Sequence, residues 1–437
     1  MKLIVRAAGA WLGAALVSAG PAWADAPPPD QPLPFDRVPT SIKDTPVLDR
    51  IRPQYQPVGE DLGDFLLFAQ AGLSETYDDN LFATSSGKVA DARTTLTPDL
   101  LFKSRWARNL LELDLHGDIE RYFDRPNEAV NDGGVSLTGR YDGQDLLTFS
   151  GIGEFNHATE PRSSTLSPRD VVRPIQFDQA HVQAKLAKDI QRLKLALTTD
   201  LYQTTYQNGR TPQGAVVPET IYDSQEAYLD GSAAYVVTPD LAVVAHVIGN
   251  DRHFLNTYIP PGSLVPLNRD SSGVEATVGV NLSLTHLIRA EALVGYLDQS
   301  YQDSRVYRPV TGPSTHVKVV YLPTGLTTVS LTIDRKVNDA QDPVASSFLS
   351  TASQLQVDHE LYRNIILSGA VKYEQDKYSG ISRQDTIWDA QAYATYLLDR
   401  NFSLKLLFDD FNVQSRGGAR IPDYNVRQLT LALVARY

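Results

Sequence analysis

Long segments in which apolar and polar side chains alternate recur along this chain. The stretch from residue 110 to residue 122 has an apolar face made of Leu111, Leu113, Leu115 and Ile119. The opposite face carries Glu112, Asp114, His116, Asp118 and Glu120. A period of two residues is the period of a β-strand. An apolar face opposite a charged face predicts a strand with hydrocarbon on one side and water on the other.

The number and length of these segments predict the architecture. About eighteen follow one another after residue 64, and every second connection is short and rich in Asp, Asn, Gly or Pro. Strands of about ten residues cross a bilayer when tilted by about 45°, whereas strands of soluble sandwiches average about five or six. We therefore predict an all-β protein, a transmembrane antiparallel β-barrel of about 18 strands (16–18). Its short turns would be periplasmic and its long loops extracellular. The alternative is a soluble sandwich.

The last segment ends the chain on an aromatic residue. Leu429, Leu431, Leu433 and Tyr437 share its apolar face. Such an ending is typical of the insertion signal of bacterial outer-membrane barrels. We therefore expect these four residues to act in membrane insertion, with outer-membrane lipid and the barrel-assembly machinery as partners.

The N-terminal 63 residues differ from the rest of the chain. Residues 1–24 have Lys2 and Arg6 before a short apolar core, and Ala24 ends a small-x-small pattern, so they are predicted to be a signal peptide cleaved after Ala24. Residues 25–63 are rich in proline, which disfavours helix and central strand. We expect an extended periplasmic leader there, or a partial plug of the barrel, and residues 64–437 form the predicted barrel.

Composition excludes several classes of function. The net charge of −12 disfavours nucleic acid as a partner. Cysteine is absent, which excludes disulfides and thiol chemistry. No motif for nucleotide binding, hydrolysis or a transition-metal site occurs, so the chain is predicted to have no cofactor, no metal and no enzymatic activity. Asp78-Asp79-Asn80 matches no calcium loop and is interpreted as a solvated turn.

Several stretches resemble a known family of outer-membrane proteins. They are Arg50–Tyr55, Leu62–Phe65, Leu73–Phe82, Leu322–Thr328 and Asp334–Val337. Together they resemble the putative β-barrel porin 2 family, over essentially the whole chain after the signal peptide. Family members are similar to proteins encoded with exopolysaccharide export systems, and some are regarded as eighteen-stranded export barrels. The resemblance implies a pore and supplies no catalytic residues.

Strand parity predicts which side chains line the pore. The candidates are Glu112, Asp114, His116, Asp118, Glu120, Lys185, Lys194, Asp200, Lys405 and Asp409. An acidic pore would disfavour anions, although charges in a barrel interior can also simply pair with one another. Aromatic residues near strand ends are interpreted as an interfacial girdle where they face outward, and the alternative is that inward-facing ones stack on sugar rings along a polysaccharide path. They are Tyr77, Tyr122, Phe123, Tyr202, Tyr206, Tyr301, Tyr307, Tyr373 and Tyr378.

The main functional prediction is a passive conduit that exports an exopolysaccharide across the outer membrane. A periplasmic polysaccharide export protein would then be its partner, and residues 25–63 its docking segment. The alternative is a general or sugar-selective uptake porin for small solutes. A barrel enzyme or surface receptor is the third hypothesis. A passive channel has no direction of its own, so the residues do not separate export from uptake.

Overall fold

The computed structural model describes residues 45–260, 264–285 and 287–437, which form a closed antiparallel β-barrel. The predicted signal peptide and the first part of the leader lie outside these residues. The eighteen long strands are β1 Phe65–Asp78, β2 Asp91–Ser104, β3 Leu110–Tyr122, β4 Val130–Asp142, β5 Leu147–Thr159, β6 Gln176–Ile190, β7 Leu193–Tyr206, β8 Ser224–Thr238, β9 Leu241–Phe254, β10 Ser271–Leu284, β11 Ile288–Tyr301, β12 Val310–Thr324, β13 Thr327–Asp339, β14 Ser347–Tyr362, β15 Ile365–Tyr378, β16 Gln384–Leu397, β17 Phe402–Arg416 and β18 Tyr424–Arg436. The predicted fold class is confirmed. No helix in the described part of the chain is long and apolar enough to cross a membrane.

The barrel closes where the last strand meets the first. Leu73 of β1 lies opposite Leu433 of β18 and opposite Leu96 of β2, so one register continues through the seam. All three leucines point outward and are exposed. Their strand neighbours on the other face, such as Ser74 and Thr95, are buried. The outer surface of the barrel is therefore apolar and the inner surface polar, as a membrane-spanning barrel requires.

The C-terminal residues predicted to signal insertion all lie on the outward face. The exposed fractions are 49% for Leu429, 57% for Leu431, 43% for Leu433 and 62% for Tyr437. The backbones of Tyr437 and Ala69 exchange two hydrogen bonds, which extends the seam to the last residue. Their role in insertion stays a prediction.

A turn after β1 ties the first extracellular loop to this seam. Asn80 is fully buried, and its Nδ2 donates to the carbonyl oxygens of Thr84 and Asn425, each at 2.8 Å. The amide of Asn80 donates to Oδ1 of Asp78, and the amide of Arg427 to Oδ1 of Asp79. The predicted solvated turn is thus wrong in one respect, because Asp78 and Asn80 are buried structural anchors.

Two strands are longer than their alternation indicates. The segment predicted at 135–141 extends to Val130–Asp142, and the segment predicted at 317–321 extends to Val310–Thr324. Pro313 lies inside the second strand, opposite Tyr296. It is tolerated because pairing with β13 begins only at Thr315, so no ladder hydrogen bond is lost on that side.

The aromatic girdle is only partly where the sequence places it. Tyr77 and Tyr373 share the outward face with the leucines of their strands. Five of the predicted girdle residues instead point inward and contact loops or other wall residues: Tyr122, Tyr202, Tyr206, Tyr301 and Tyr378. The prediction is wrong for these five because position near a strand end does not determine the face. Their strand parity places them inside. Tyr307 is not part of a girdle either, because it lies in the loop before β12 and is fully buried.

Candidate functional site

The loop between β5 and β6, residues 160–175, crosses the outer mouth of the barrel. The hydroxyl of Tyr424 at the start of β18 donates to the carbonyl of Ser163 at 2.7 Å. Nη2 of Arg383, just before β16, donates to the carbonyl of Thr165 at 3.0 Å. Leu166 of the same loop packs against Ala340, Ala345, Phe348 and Tyr378. Strands β14 to β18 lie far around the wall from β5, so the loop bridges the lumen.

A second loop, residues 340–346, enters the mouth from the other side. Nε2 of Gln341 donates to the hydroxyl of Tyr206 on β7 at 2.9 Å. The hydroxyl of Tyr307, a fully buried residue, donates to the carbonyl of Pro343 at 2.9 Å. Together the two loops narrow the extracellular end of the pore.

A cavity of about 430 Å³ lies beneath the first of these loops, against the inner faces of β1 to β6 and β18. Its ionisable lining is mostly acidic. The carboxylates are Asp78, Asp99, Asp114, Asp118, Glu120, Glu128, Asp132 and Glu160, and the guanidinium groups are Arg93 and Arg162. The cavity is within the size range of pockets that hold small molecules.

The charges of this cavity are only partly compensated. Nε of Arg93 donates to Oε1 of Glu120 at 3.1 Å, and Nδ1 of His116 lies 2.9 Å from Oδ1 of Asp114. Oδ2 of Asp114 and Oδ1 of Asp118 are buried and have no hydrogen bond to the described protein atoms. The cavity therefore carries a net negative field, which attracts cations and repels anions.

The roof of the cavity contains a buried carboxyl group from the loop. Burial, strengthened by the neighbouring Glu219, raises the pKa of Glu160 to about 8. Burial likewise raises the pKa of Glu219 to about 7. The same loop also carries Arg162, which is paired with a carboxylate. Nε and Nη2 of Arg162 donate to the two carboxylate oxygens of Glu128, both at 2.8 Å. This two-bond ion pair fixes the loop to the segment between β3 and β4.

Comparison with known proteins agrees with this architecture. The sequence profile described as "Putative beta-barrel porin 2" matches residues 52–437. The chain belongs to this family. It is an outer-membrane β-barrel porin, and the resemblance predicted from its motifs is confirmed. Porins are channels, and the prediction that the chain is not an enzyme stays a prediction about catalysis. No curated protein matches the chain.

Solved structures of Pseudomonas porins are similar to it in outline. OpdL of Pseudomonas aeruginosa has 13% identity and a TM-score of 0.43, with 86% of this chain and 99% of that chain covered. OpdK of Pseudomonas aeruginosa with vanillate has 12% identity and a TM-score of 0.44, with 85% and 99% covered. A BenF-like porin from Pseudomonas fluorescens Pf-5 has 10% identity and a TM-score of 0.43, with 85% and 99% covered.

The structure brings together only some of the residues predicted to line the pore. Asp114, His116, Asp118 and Glu120 line the cavity of the porin. Glu112 shares their face but lies outside the cavity and pairs with Lys103. The remaining candidates lie on the inward faces of other strands: Lys185, Lys194, Asp200, Lys405 and Asp409. Among the described residues, no three His, Asp or Glu side chains could together hold a metal ion.

Asp200 and Lys194 have partners elsewhere on the wall. Oδ1 of Asp200 lies 3.0 Å from Nε2 of His181, whose ring stacks on Tyr202. Lys194 is 3.7 Å from Asp189 at the periplasmic end. These pairs fit the interpretation that many interior charges neutralise one another.

The N-terminal segment also contacts the pore wall, at the opposite end from the loops. The buried side chains of Arg50 and Arg52 both donate to Oε2 of Glu360 on β14, at 3.2 and 3.0 Å. The amide of Val47 donates to the hydroxyl of Thr328 on β13 at 2.8 Å. The sequence did not indicate Glu360, although the resemblance motif contains both arginines.

Proposed function

We propose that the porin is a passive diffusion channel for small hydrophilic solutes, with a preference for neutral and cationic ones. The observation that supports this is the acidity of the outer cavity, where carboxyl groups outnumber the two guanidinium groups even when Glu160, which is mostly neutral near pH 7, is left out. A solute that enters between the loops meets this field before it reaches the wider barrel. The cavity volume of about 430 Å³ suits small solutes.

Ion selectivity in planar bilayers tests this proposal. The reversal potential across a KCl gradient should show that potassium is more permeant than chloride. Replacing both carboxylates in the variant Asp114→Asn/Asp118→Asn should move the reversal potential toward zero, because these groups have unpaired oxygens in the cavity. Asp189→Asn is the control for each single change, Asp114→Asn or Asp118→Asn, because it removes one carboxylate at the periplasmic end. Chloride preference in the unmodified porin would contradict the proposal.

Export of an exopolysaccharide, the main prediction from the sequence, is less well supported than uptake. A polymer in transit needs a continuous passage through both mouths, and two loops cross the outer mouth here. The family description names a porin and no export system. A strain that lacks the gene should therefore secrete normal amounts of polysaccharide. Loss of extracellular polymer, restored by complementation, would favour export instead.

A further inference from the structure

Residues 45–57, called the strap below, lie inside the barrel at its periplasmic end. They contact Thr328, Glu360, Ile366 and Leu397. Each of these wall residues lies within two positions of a short turn and points inward. The strap precedes β1, yet it contacts β13 to β16 and not the neighbours of β1.

This placement takes the strap a long way around the wall. Counted backward from β1 through the seam, β14 is five strands away. Strands about 4.8 Å apart and tilted by about 40° give an eighteen-stranded barrel about 36 Å across. The path from β14 to β1 is then about 30 Å long. The residues between Arg52 and Phe65 cover it easily, because an extended chain gains about 3.4 Å per residue.

Two kinds of contact hold the strap. Val47 is fully buried and packs against Ile366 and Leu397. Glu360, 2% exposed, accepts from both strap arginines through Oε2, and Arg363 donates to its Oε1. A buried carboxylate with two buried cations is sensitive to loss of either partner, because the charge that remains is desolvated and unpaired.

The strap arginines also organise the strap itself. Nη2 of Arg52 donates to the carbonyl of Val47 at 2.9 Å, and Nη1 to the carbonyl of Arg50 at 3.2 Å. Nε of Arg50 donates to the carbonyl of Thr45 at 3.0 Å. The backbone of the strap is thus folded around the two cations, which are themselves held by Glu360. Loss of the carboxylate would release the strap as a unit.

We propose that the strap is a periplasmic gate and that Glu360 is its latch: docked, the strap narrows the inner mouth of the pore, and its release widens that mouth. The gate acts whatever solute the porin carries. It lies at the opposite end of the pore from the acidic cavity, so its test is separate from that of ion selectivity.

Two variants release the strap in different ways. Glu360→Gln removes the latch from the wall, and Arg50→Ala/Arg52→Ala removes the cations from the strap. The second variant leaves Glu360 paired with Arg363, so the barrel wall keeps its own contacts. Glu291→Gln is the matched control: Glu291 is also a buried inward carboxylate, but it pairs with Asn281 and not with the strap.

Single-channel conductance and trypsin cleavage together test the gate on the full-length porin. Both release variants should conduct more than the unmodified porin, and Glu291→Gln should not. Trypsin should cleave the bond between Arg50 and Ile51 in Glu360→Gln and leave it intact in the unmodified porin. Normal conductance in both release variants would overturn the proposal. It would do so even if trypsin cleaved Glu360→Gln after Arg50, because the strap would then be released without widening the pore.

A cross-link tests the same gate in reverse. The protein has no cysteine, so Val47→Cys/Thr328→Cys introduces one defined pair where the Val47 amide already bonds the Thr328 hydroxyl. Combined with Glu360→Gln, the oxidised pair should return conductance to the unmodified value, and a reductant should raise it again. Equal conductance in the oxidised and reduced states would overturn the gate.

Discussion

A charge placed on the outward face should destabilise the barrel by an amount that depends on depth in the membrane. Val278 lies at the middle of β10, is 54% exposed, and has Ala245 and Val294 as its neighbours on adjacent strands. Arginine at the bilayer midplane on this face of a barrel costs about 2–4 kcal/mol. We therefore expect Val278→Arg to lower the free energy of unfolding by about 3 kcal/mol.

The control is the same substitution at the end of the same strand. Leu284 is 51% exposed, so it matches Val278 in exposure. It lies six residues away, which is about 14 Å along the membrane normal at about 3.4 Å per residue and about 45° tilt. That depth is near the edge of an apolar band about 25 Å tall, where the cost falls to about 0–1 kcal/mol. Leu284→Arg should thus be nearly neutral.

Denaturant titration of the barrel folded into lipid vesicles measures both variants. Thr277→Arg completes the set, because Thr277 is the inward neighbour of Val278 and the lumen accepts charge. Equal unfolding free energies for Val278→Arg and Leu284→Arg would refute the reasoning. The outward face would then not lie in hydrocarbon.

Two further predictions concern the loops. The pKa of Glu160 is raised from 4.5 to about 8, so the folded loop favours the neutral carboxyl. The contribution of Glu160 to stability should be complete below about pH 4.5 and lost as the pH rises to about 8. The loss should be on the order of a few kcal/mol. Thermal unfolding curves of Glu160→Gln should lack most of this pH dependence. Asn80→Ala should destabilise the seam by about 1–3 kcal/mol, because it removes three hydrogen bonds between the fully buried Asn80 side chain and the backbone of Thr84 and Asn425. Gel mobility of heated and unheated samples would measure this loss, and the outward-facing Asn412→Ala should cost less.

The strands, their two faces and closure into a barrel all follow from the residue pattern. Alternation is a local property, and each strand pairs mainly with the strand next to it in the chain. A segment such as Leu110–Tyr122 therefore carries nearly all the information needed to place it. The turn residues also predicted the orientation of the barrel in the membrane, because every second connection is short and the short turns are expected on the periplasmic side. Family motifs agreed with this and supplied the expectation of a pore.

The contents of the barrel depend on contacts between residues that are far apart in the chain. The pair Arg50 and Glu360 is separated by 310 residues, and the contact between Tyr424 and Ser163 by 261. Such contacts depend on how loops and the strap fold back into the lumen, and no period in the sequence encodes that. Tyr202 and Tyr378 are a different case, because the parity of their strands, which the sequence does contain, places both on the inner face. The positions and faces of the strands depend on residues that are neighbours in the chain. The shape and charge of the pore depend on residues that come together only when the barrel closes.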